Sequence, residues 1–366
     1  MNIKYIDLSI TKEKYQKEIS PLLEEVFLDG SFVGGKQVKE FENNFAKYCD
    51  VKYAVSLNSG TDALIMALKS LEIGKGDEVI TVSNTFMSTA NAIEWLGAKA
   101  VFVDINDDLL IDYEKIEEAI TDNTKAIIPV HLMGLACDMD EINTIAKKYN
   151  LKVIEDAAQS VGTLYKSQKT GSLSDIGCFS LHPLKNLGGI GDGGIVTTND
   201  KKIAEKIQML RNNGLKDRDN LECIGIVSRL DSINATILNY KINSVDEVIK
   251  QRIKNANFYI ECLKGVTQIV MIKVPICKVH SYHVFVIKAK KRDELKKYLE
   301  DNGVETKIHY PKLIHLQKPY KGTIKKLENS ERLIDMILTL PLANVNKEEI
   351  KYICNKIEEF YSKEAN

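Results

Sequence analysis

A lysine close to a run of glycines is the most informative chemical feature of this chain. Lys185 lies in Phe179-Ser-Leu-His-Pro-Leu-Lys-Asn-Leu-Gly-Gly-Ile-Gly-Asp-Gly-Gly194, after a strand-like run and shortly before five glycines. Glycine lets the backbone approach a ligand closely, and a lysine over a partly desolvated pocket can lose its proton and form a Schiff base. Although a lone lysine is usually a solvated surface residue, this setting predicts covalent chemistry in a ligand pocket.

The same glycines formally match the dinucleotide pattern G-x-G-x-x-G, from Gly189 to Gly194. That pattern binds a dinucleotide where it follows a strand and opens a helix. Here a strand-like run, Ile195-Val-Thr-Thr198, follows it. A nicotinamide site is therefore rejected.

Two further segments complete a recognisable set of groups. Asp156 ends the strand-like run Val153-Ile-Glu-Asp156, at the sheet edge where ligands of open α/β sheets bind; alone it would be read as a helix cap. In Asn58-Ser-Gly-Thr-Asp62 a strand ends and a helix begins, so unpaired N–H groups can hold an anion. Pyridoxal phosphate needs a Schiff-base lysine, an acid for its pyridine nitrogen and a phosphate site. With Lys185, these segments predict that cofactor.

The order of elements predicts an α/β fold. From about residue 50 to residue 200, short β-branched runs alternate with amphipathic helical patterns, which is typical of a parallel sheet covered by helices on both faces. A long helical stretch at Asn234–Leu263 then leads into an α+β tail. We predict a large cofactor-binding domain at residues 1–245 and a small C-terminal domain at residues 246–366. The strand candidates are Tyr53–Leu57, Glu78–Val82, Ala100–Asp104, Ala126–Val130, Lys152–Glu155, Cys178–Leu181 and Ile195–Thr198.

Composition excludes several classes of function. Fifty Lys and Arg residues against 51 Asp and Glu residues leave no basic footprint for nucleic acid or an anionic membrane. There is no run of about 18 apolar residues and no signal-peptide core. Seven scattered cysteines without a CxxC pair indicate reduced thiols in a cytoplasmic protein, and no histidine or cysteine spacing predicts a metal site.

In chain order, the motifs resemble those of the DegT/DnrJ/EryC1/StrS family of sugar aminotransferases. The resemblance implies the aspartate aminotransferase fold (pyridoxal phosphate fold type I) with a mainly parallel sheet. The matching pieces are Phe41-Glu42, Phe45-Ala46, Ser59-Gly-Thr-Asp-Ala-Leu64, Gly76-Asp-Glu-Val79, Thr85-Phe86, Glu155-Asp-Ala-Ala-Gln159, Cys178-Phe-Ser180, Lys185-Asn-Leu-Gly188, Gly191-Asp-Gly-Gly194, Ser228-Arg-Leu-Asp231, His309-Tyr-Pro311 and His315-Leu-Gln317.

The resemblance also implies roles for individual residues. Lys185 would be the Schiff-base lysine and Asp156 the partner of the pyridine nitrogen. Gln159 would lie near the ring hydroxyl and Phe86 would stack on the ring, although Phe86 could equally be a core aromatic. The residues implied for the phosphate are Gly60, Thr61 and Ser180.

The resemblance extends to the substrate side and to assembly. Family members usually carry Asn before Ser-Arg-Leu-Asp, where it reaches the phosphate of a neighbouring subunit, but this chain has Val227. Arg229 could approach the shared site instead, and we expect a homodimer with shared active sites. His182 is a candidate for substrate binding. Three further residues could line the cleft or structure a loop: His309, Tyr310 and His315.

The implied reaction moves an amino group from glutamate to a nucleotide-linked keto sugar. Lys185 distinguishes the chain from family dehydratases, which carry histidine at that position. Gly191-Asp-Gly-Gly194 looks more like members that aminate C3, which favours a dTDP-3-keto-6-deoxyhexose. A UDP-linked 3-keto sugar or a 4-keto sugar is the alternative, and a non-catalytic regulatory protein of the same fold is the alternative from another class.

Overall fold

The alternating strand and helix patterns fold around a seven-stranded sheet in the computed structural model, which describes residues 1–320 and 326–364. Its strand order is β1-β9-β8-β5-β4-β2-β3, and two three-stranded sheets, β10-β12-β13 and β11-β6-β7, accompany it. The strands are β1 Tyr53–Leu57, β2 Glu78–Val82, β3 Lys99–Val103, β4 Thr124–Ile127, β5 Lys152–Asp156, β6 Leu164–Tyr165, β7 Gln168–Lys169, β8 Ile176–Ser180, β9 Gly194–Thr198, β10 Ile269–Met271, β11 Lys278–Val279, β12 Phe285–Ala289 and β13 Ile337–Leu340.

Helices flank and connect these strands. Short 3₁₀ turns lie at Tyr113–Lys115, Glu117–Ala119, Leu132–Gly134 and Ile314–Leu316, and a π-helical turn lies at Tyr15–Ile19. The α-helices are α1 Lys12–Lys14, α2 Ser20–Asp29, α3 Lys36–Cys49, α4 Gly60–Ser70, α5 Ser88–Trp95, α6 Met139–Lys148, α7 Lys201–Leu210, α8 Ser232–Ile242, α9 Val245–Cys262, α10 Arg292–Asp301, α11 Glu328–Ile334 and α12 Lys347–Glu364.

Strand direction in the large sheet determines where functional groups can meet. The strands β8, β5, β4, β2 and β3 pair in parallel, whereas β9 is antiparallel to both β8 and β1. Strand β1 therefore runs in the same direction as β8. The mainly parallel α/β sheet confirms the predicted fold class, and the C-terminal ends of β1, β2, β4, β5 and β8 lie at one edge.

Both faces of the large sheet are buried, as a parallel sheet requires. Successive residues of β2 point to opposite faces: Val79 packs in a cluster with residues of α4, α5 and α7, and Ile80 in a cluster with residues of α6. Phe179 of β8 and Ile195 of β9 pack with α3 and α8. Helices therefore cover both faces of the sheet, and the ends of its strands remain free to form a site.

The predicted helical stretch Asn234–Leu263 is in fact two helices, α8 and α9. The break falls at Asn243 and Ser244, whose side chains donate to the backbone carbonyls of Asn239 and Lys241. Such local bonds compete with helix continuation. The predicted division between residues 245 and 246 coincides with the start of α9, and it stays a prediction.

The C-terminal residues build a separate core that also receives the start of the chain. Strands β10, β12 and β13 pack with α9, α10 and α12. Ile3 joins this core and pairs in parallel with Val304. The two ends of the sequence are therefore tied together by packing.

No helix within the described residues is long and apolar enough to span a bilayer. The same part of the chain contains no cluster of three or more His, Cys, Asp and Glu side chains suited to a metal ion. Its seven cysteines are free thiols: Cys49, Cys137, Cys178 and Cys354 are buried, Cys223 and Cys262 are half-buried, and Cys277 is exposed.

We expect Ile3→Ala to destabilise the protein because Ile3 is 3% exposed in the C-terminal core. Truncating a buried isoleucine removes about 2–5 kcal/mol from the free energy of unfolding. Leu8→Ala is the matched control, since Leu8 is 54% exposed and its loss should cost at most about 0.5 kcal/mol. Urea denaturation followed by circular dichroism measures both, and equal midpoints for the two variants would contradict the packing of Ile3.

Candidate active site

The C-terminal ends of five parallel strands surround a cavity of about 380 Å³, which we call the main cavity. Each strand contributes the residues that follow it, and the chain entering β9 closes one side. Eight of the nine residues that were assigned a site role from the sequence line the main cavity: Gly60, Thr61, Phe86, Asp156, Gln159, Ser180, His182 and Lys185.

Asp156 is the buried acid of the main cavity. Its Oδ2 accepts a hydrogen bond from the Thr89 hydroxyl at 2.7 Å, and its Oδ1 accepts one from the Ala158 N–H at 3.2 Å. Burial raises the pKa of this carboxyl, while the two donors oppose that rise. The carboxylate is therefore fixed in position, and a cationic group brought into the cavity would stabilise its ionised form.

Lys185 is the amine of the main cavity. Its backbone N–H donates to the carbonyl of His182 at 2.9 Å, which forms a turn after β8. Burial lowers the pKa of Lys185 to about 8, and the charge of Asp156 acts in the opposite direction. A substantial share of the lysine is thus neutral near pH 8, as nucleophilic attack on a carbonyl requires.

The ring of His182 stabilises the turn that carries the lysine. Its Nδ1 accepts the N–H of Leu184 at 3.2 Å, so Nε2 carries the proton of the neutral ring. His182 also lines the main cavity. His182 therefore helps to position Lys185 through the turn that both residues belong to.

The N-terminus of α4 offers an anion site beside β8. Ser59 caps the helix by accepting the N–H of Asp62 at 3.0 Å, and within the described residues the N–H groups of Gly60 and Thr61 have no acceptor. A Cβ on Gly60 would lie 2.8 Å from the Cβ of Ser180. Glycine is therefore needed for the helix end to approach β8 and to present free N–H groups.

Gln159 forms hydrogen bonds with two segments that are far apart in the sequence. Its Oε1 accepts the N–H of Met133 at 2.7 Å, and its Nε2 donates to the hydroxyl of Tyr310 at 2.8 Å. The ring of Tyr310 lies 5.7 Å from that of Phe86, between centroids. Phe86 is 49% exposed, so the alternative of a core aromatic is wrong.

Three residues were predicted either to line the cleft or to structure a loop, and the structure distinguishes between them. His309 and Tyr310 line the main cavity. His315 lies outside that lining and is buried, with its Nδ1 2.7 Å from the Ser83 hydroxyl. It stabilises the loop after β2.

Thr89 and His283 also line the main cavity, and sequence reasoning missed both. Thr89 lies in the first turn of α5, three residues after Phe86, so its closeness to that motif in the sequence was the one available signal. His283 follows no motif. Its ring Nδ1 is buried without a partner in the described residues.

Arg229 stands apart from the main cavity. It is exposed and donates to the Asn212 side chain at 3.4 Å. Val227, also exposed, forms a bridge with Asn212. Within one chain this segment does not reach the cavity, so the part expected for Arg229 depends on a second copy.

A family model for the DegT/DnrJ/EryC1/StrS aminotransferases matches residues 13–358. The chain belongs to this family. Family members use pyridoxal phosphate, so the resemblance seen in the motifs is confirmed together with the predicted cofactor.

Curated relatives of this DegT-family chain match it along nearly their whole length. A dTDP-3-amino-3,6-dideoxy-alpha-D-galactopyranose transaminase of Aneurinibacillus thermoaerophilus is 41% identical, over 98% of this chain and 99% of the relative. A pleiotropic regulatory protein of Geobacillus stearothermophilus is 39% identical, over 99% of each. A UDP-N-acetyl-3-dehydro-alpha-D-glucosamine 3-aminotransferase of Acidithiobacillus ferrooxidans is 39% identical, over 95% and 94%.

Solved structures of the DegT family share the fold described above. The crystal structure of DesV from S. venezuelae, in complex with a ketimine intermediate, superposes with a TM-score of 0.95. It is 34% identical and covers 98% of both chains. The large sheet and the C-terminal core are therefore the family architecture.

The residues of the main cavity fit pyridoxal phosphate. Free N–H groups at Gly60 and Thr61 suit the phosphate, the fixed carboxylate of Asp156 suits a protonated ring nitrogen, and Lys185 supplies the amine. A different feature of the fold positions each of the three: a helix N-terminus, the hydrogen bond from Thr89, and the turn after β8. The donor set therefore matches the cofactor that the family uses.

We expect Lys185 to react with aldehydes along a titration centred near pH 8, because burial lowers its pKa to about 8. An exposed lysine, with a pKa of about 10.4, is less than about 1% neutral at that pH. The apoprotein is incubated with pyridoxal phosphate across pH, reduced with borohydride and digested, and labelling of each lysine is quantified by mass spectrometry. Labelling of Lys185 that rises only above about pH 10, like that of exposed lysines, would contradict this assignment.

Proposed function

We propose that this chain transfers the amino group of L-glutamate to the C3 ketone of a nucleotide-linked keto sugar, and that its acceptor is a dTDP-3-keto-6-deoxyhexose. One observation carries the proposal: Lys185, Asp156 and the free N–H groups of Gly60 and Thr61 surround one cavity. The names of two relatives, which aminate dTDP-linked and UDP-linked sugars, support a nucleotide-sugar acceptor.

The residues of the main cavity have distinct tasks in this proposal. Bound pyridoxal phosphate supplies an electron sink for the charge that develops at the reacting carbon. Asp156 would hold a proton on the ring nitrogen, and Gln159 would lie near the ring hydroxyl. The phosphate would be bound by Gly60, Thr61 and Ser180, and Phe86 would cover one face of the ring.

Lys185 is the proton carrier of the proposed reaction. It is the one amine among the described residues that line the main cavity. Two histidines that line the same cavity do not compete, because burial and the charge of Lys185 lower the pKa of His309 to about 4 and hold that of His283 well below its usual value. Lys185 would bond covalently to the cofactor and, once displaced by the donor, would take the proton from the donor Cα.

The choice of C3 over C4 rests on Lys185-Asn-Leu-Gly188 and Gly191-Asp-Gly-Gly194, which resemble the corresponding segments of family members that aminate C3. Asp192 of the second segment lines the main cavity. A UDP-linked 3-keto sugar or a 4-keto sugar is the alternative acceptor. The regulatory relative keeps a non-catalytic function as the alternative from another class.

We further propose a cytoplasmic homodimer with shared active sites. The segment around Arg229 supports this, because Ile224, Ile226 and Val227 next to it are exposed apolar residues, and such patches mark interaction surfaces. Arg229 would then meet the anionic sugar nucleotide in the neighbouring subunit, and His182 would contact substrate from within the same chain.

We expect Lys185→Ala to abolish transamination, because no other described amine lines the main cavity. The holoenzyme should lose its visible absorbance on addition of glutamate, whereas the variant should bind the cofactor noncovalently and show no turnover. Stopped-flow absorbance with glutamate measures this. Sustained turnover by the variant, or a wild-type protein that binds the cofactor and never turns over, would contradict catalysis by Lys185.

We expect the amino form of the holoenzyme to be reoxidised faster by a dTDP-3-keto-6-deoxyhexose than by the matching 4-keto sugar or by a UDP-linked 3-keto sugar. The choice rests on the resemblance of Gly191-Asp-Gly-Gly194 to the segment of family members that aminate C3, and Asp192 of this segment lines the main cavity, where it can contact the sugar. Single-turnover absorbance with the three sugars measures the order. Reoxidation by the 4-keto sugar alone would contradict the C3 assignment and leave the aminotransferase reaction intact.

A further inference from the structure

Arg252 of α9 is a buried cation with an incomplete set of partners. It is 7% exposed, and its Nη1 donates to the backbone carbonyls of Tyr282 at 3.2 Å and His283 at 3.0 Å. Its Nε is buried without an acceptor, and neither Nε nor Nη2 has a hydrogen-bond or ion-pair partner in the described part of the chain. A buried donor without an acceptor is costly, so one edge of the guanidinium is open for a ligand.

Arg292 shows how this chain completes the same arrangement elsewhere. It too is 7% exposed, and its Nη1 donates to two backbone carbonyls, those of Ile334 and Ile337. Its Nε, however, donates to the carboxylate of Asp293 at 2.6 Å. Arg252 has the carbonyl contacts of Arg292 and lacks the carboxylate.

Arg252 lines a small cavity of about 50 Å³, which we call the side cavity. A water molecule needs about 10–15 Å³ measured in this way, so the side cavity has room for a carboxylate and an adjoining methylene group. Burial lowers the pKa of Arg252 to about 10, so it remains cationic at neutral pH. The residues that the side cavity shares with the main cavity are Leu184, His283 and His309.

We propose that the side cavity binds the distal carboxylate of a dicarboxylic amino-acid donor, which pairs with the Nε and Nη2 edge of Arg252. Such an edge matches the two oxygens of a carboxylate. This inference rests on the proposed function, because the donor amine must react beside Lys185. The α-carboxylate sits on the reacting carbon and stays in the main cavity, whereas the distal carboxylate is several bonds away and extends past His283 and His309.

Binding of glutarate to the holoenzyme tests the inference without turnover, because glutarate has two carboxylates and no amine. Calorimetric titration compares the wild type with Arg252→Gln and with the matched control Arg292→Gln. We expect Arg252→Gln to weaken glutarate binding about tenfold or more, the effect of losing a charge-assisted pair. Arg292→Gln should leave the affinity unchanged.

The amino-donor half-reaction distinguishes the two ends of the donor. We expect kcat/KM for glutamate to fall about tenfold or more in Arg252→Gln, and kcat/KM for norvaline, which has a methyl group in place of the distal carboxylate, to stay the same. An equal loss for both donors would assign Arg252 to the α-carboxylate or to the fold and would overturn the inference.

Two variants keep the test decisive if Arg252→Gln fails to fold. Arg252→Lys keeps the cation and loses the two-nitrogen edge, and Ala343→Leu fills the side cavity, which Ala343 lines, without changing the arginine. Both should weaken glutarate binding. The inference would be overturned by wild-type affinity in a folded Arg252→Gln or in both of these variants, and also by a wild type that does not bind glutarate. In each case, glutamate turnover by the wild type would still support the proposed function. Absence of glutamate turnover in the wild-type holoenzyme would instead refute the proposed donor.

Discussion

The placement of the Asp156 carboxylate and the Lys185 amine around one cavity is the constraint on which the rest of the site depends. A buried carboxylate is costly unless donors hold it, and Thr89 and Ala158 provide two. The same burial lowers the pKa of Lys185. The fixed acid and the partly neutral amine have one structural cause, which is their burial at the C-terminal ends of a mainly parallel sheet.

The motifs at strand ends were predictable because local chemistry defines them. Lys185 beside its glycines, Asp156 at a strand end and Gly60 before a helix were each singled out from a few neighbouring residues, and only the set of three pointed to one cofactor. The sheet brings all three to one cavity. Contacts between distant segments were not predictable: Thr89 bonds Asp156 across 67 residues and Tyr310 bonds Gln159 across 151. Hydrogen bonds from the side chains of Asn243 and Ser244 to backbone carbonyls likewise divide one predicted helix into two.

The two cavities of the site draw on two parts of the fold. The cofactor groups come from the ends of the large sheet, whereas Arg252 comes from α9 and the side cavity from the C-terminal residues and the start of the chain. The proposed donor site and the cofactor groups therefore come mainly from different elements, and the two cavities share Leu184, His283 and His309.

The central claim is tested most directly by the protonation state of the cofactor ring nitrogen in the holoenzyme. With ¹⁵N-labelled pyridoxal phosphate, solid-state NMR reports that state through the ring nitrogen chemical shift. The account predicts a protonated nitrogen in the wild type and loss of that proton in Asp156→Asn, which keeps the shape of the side chain and removes its charge. A nitrogen that is unprotonated in the wild type, or equally protonated in both proteins, would contradict the account.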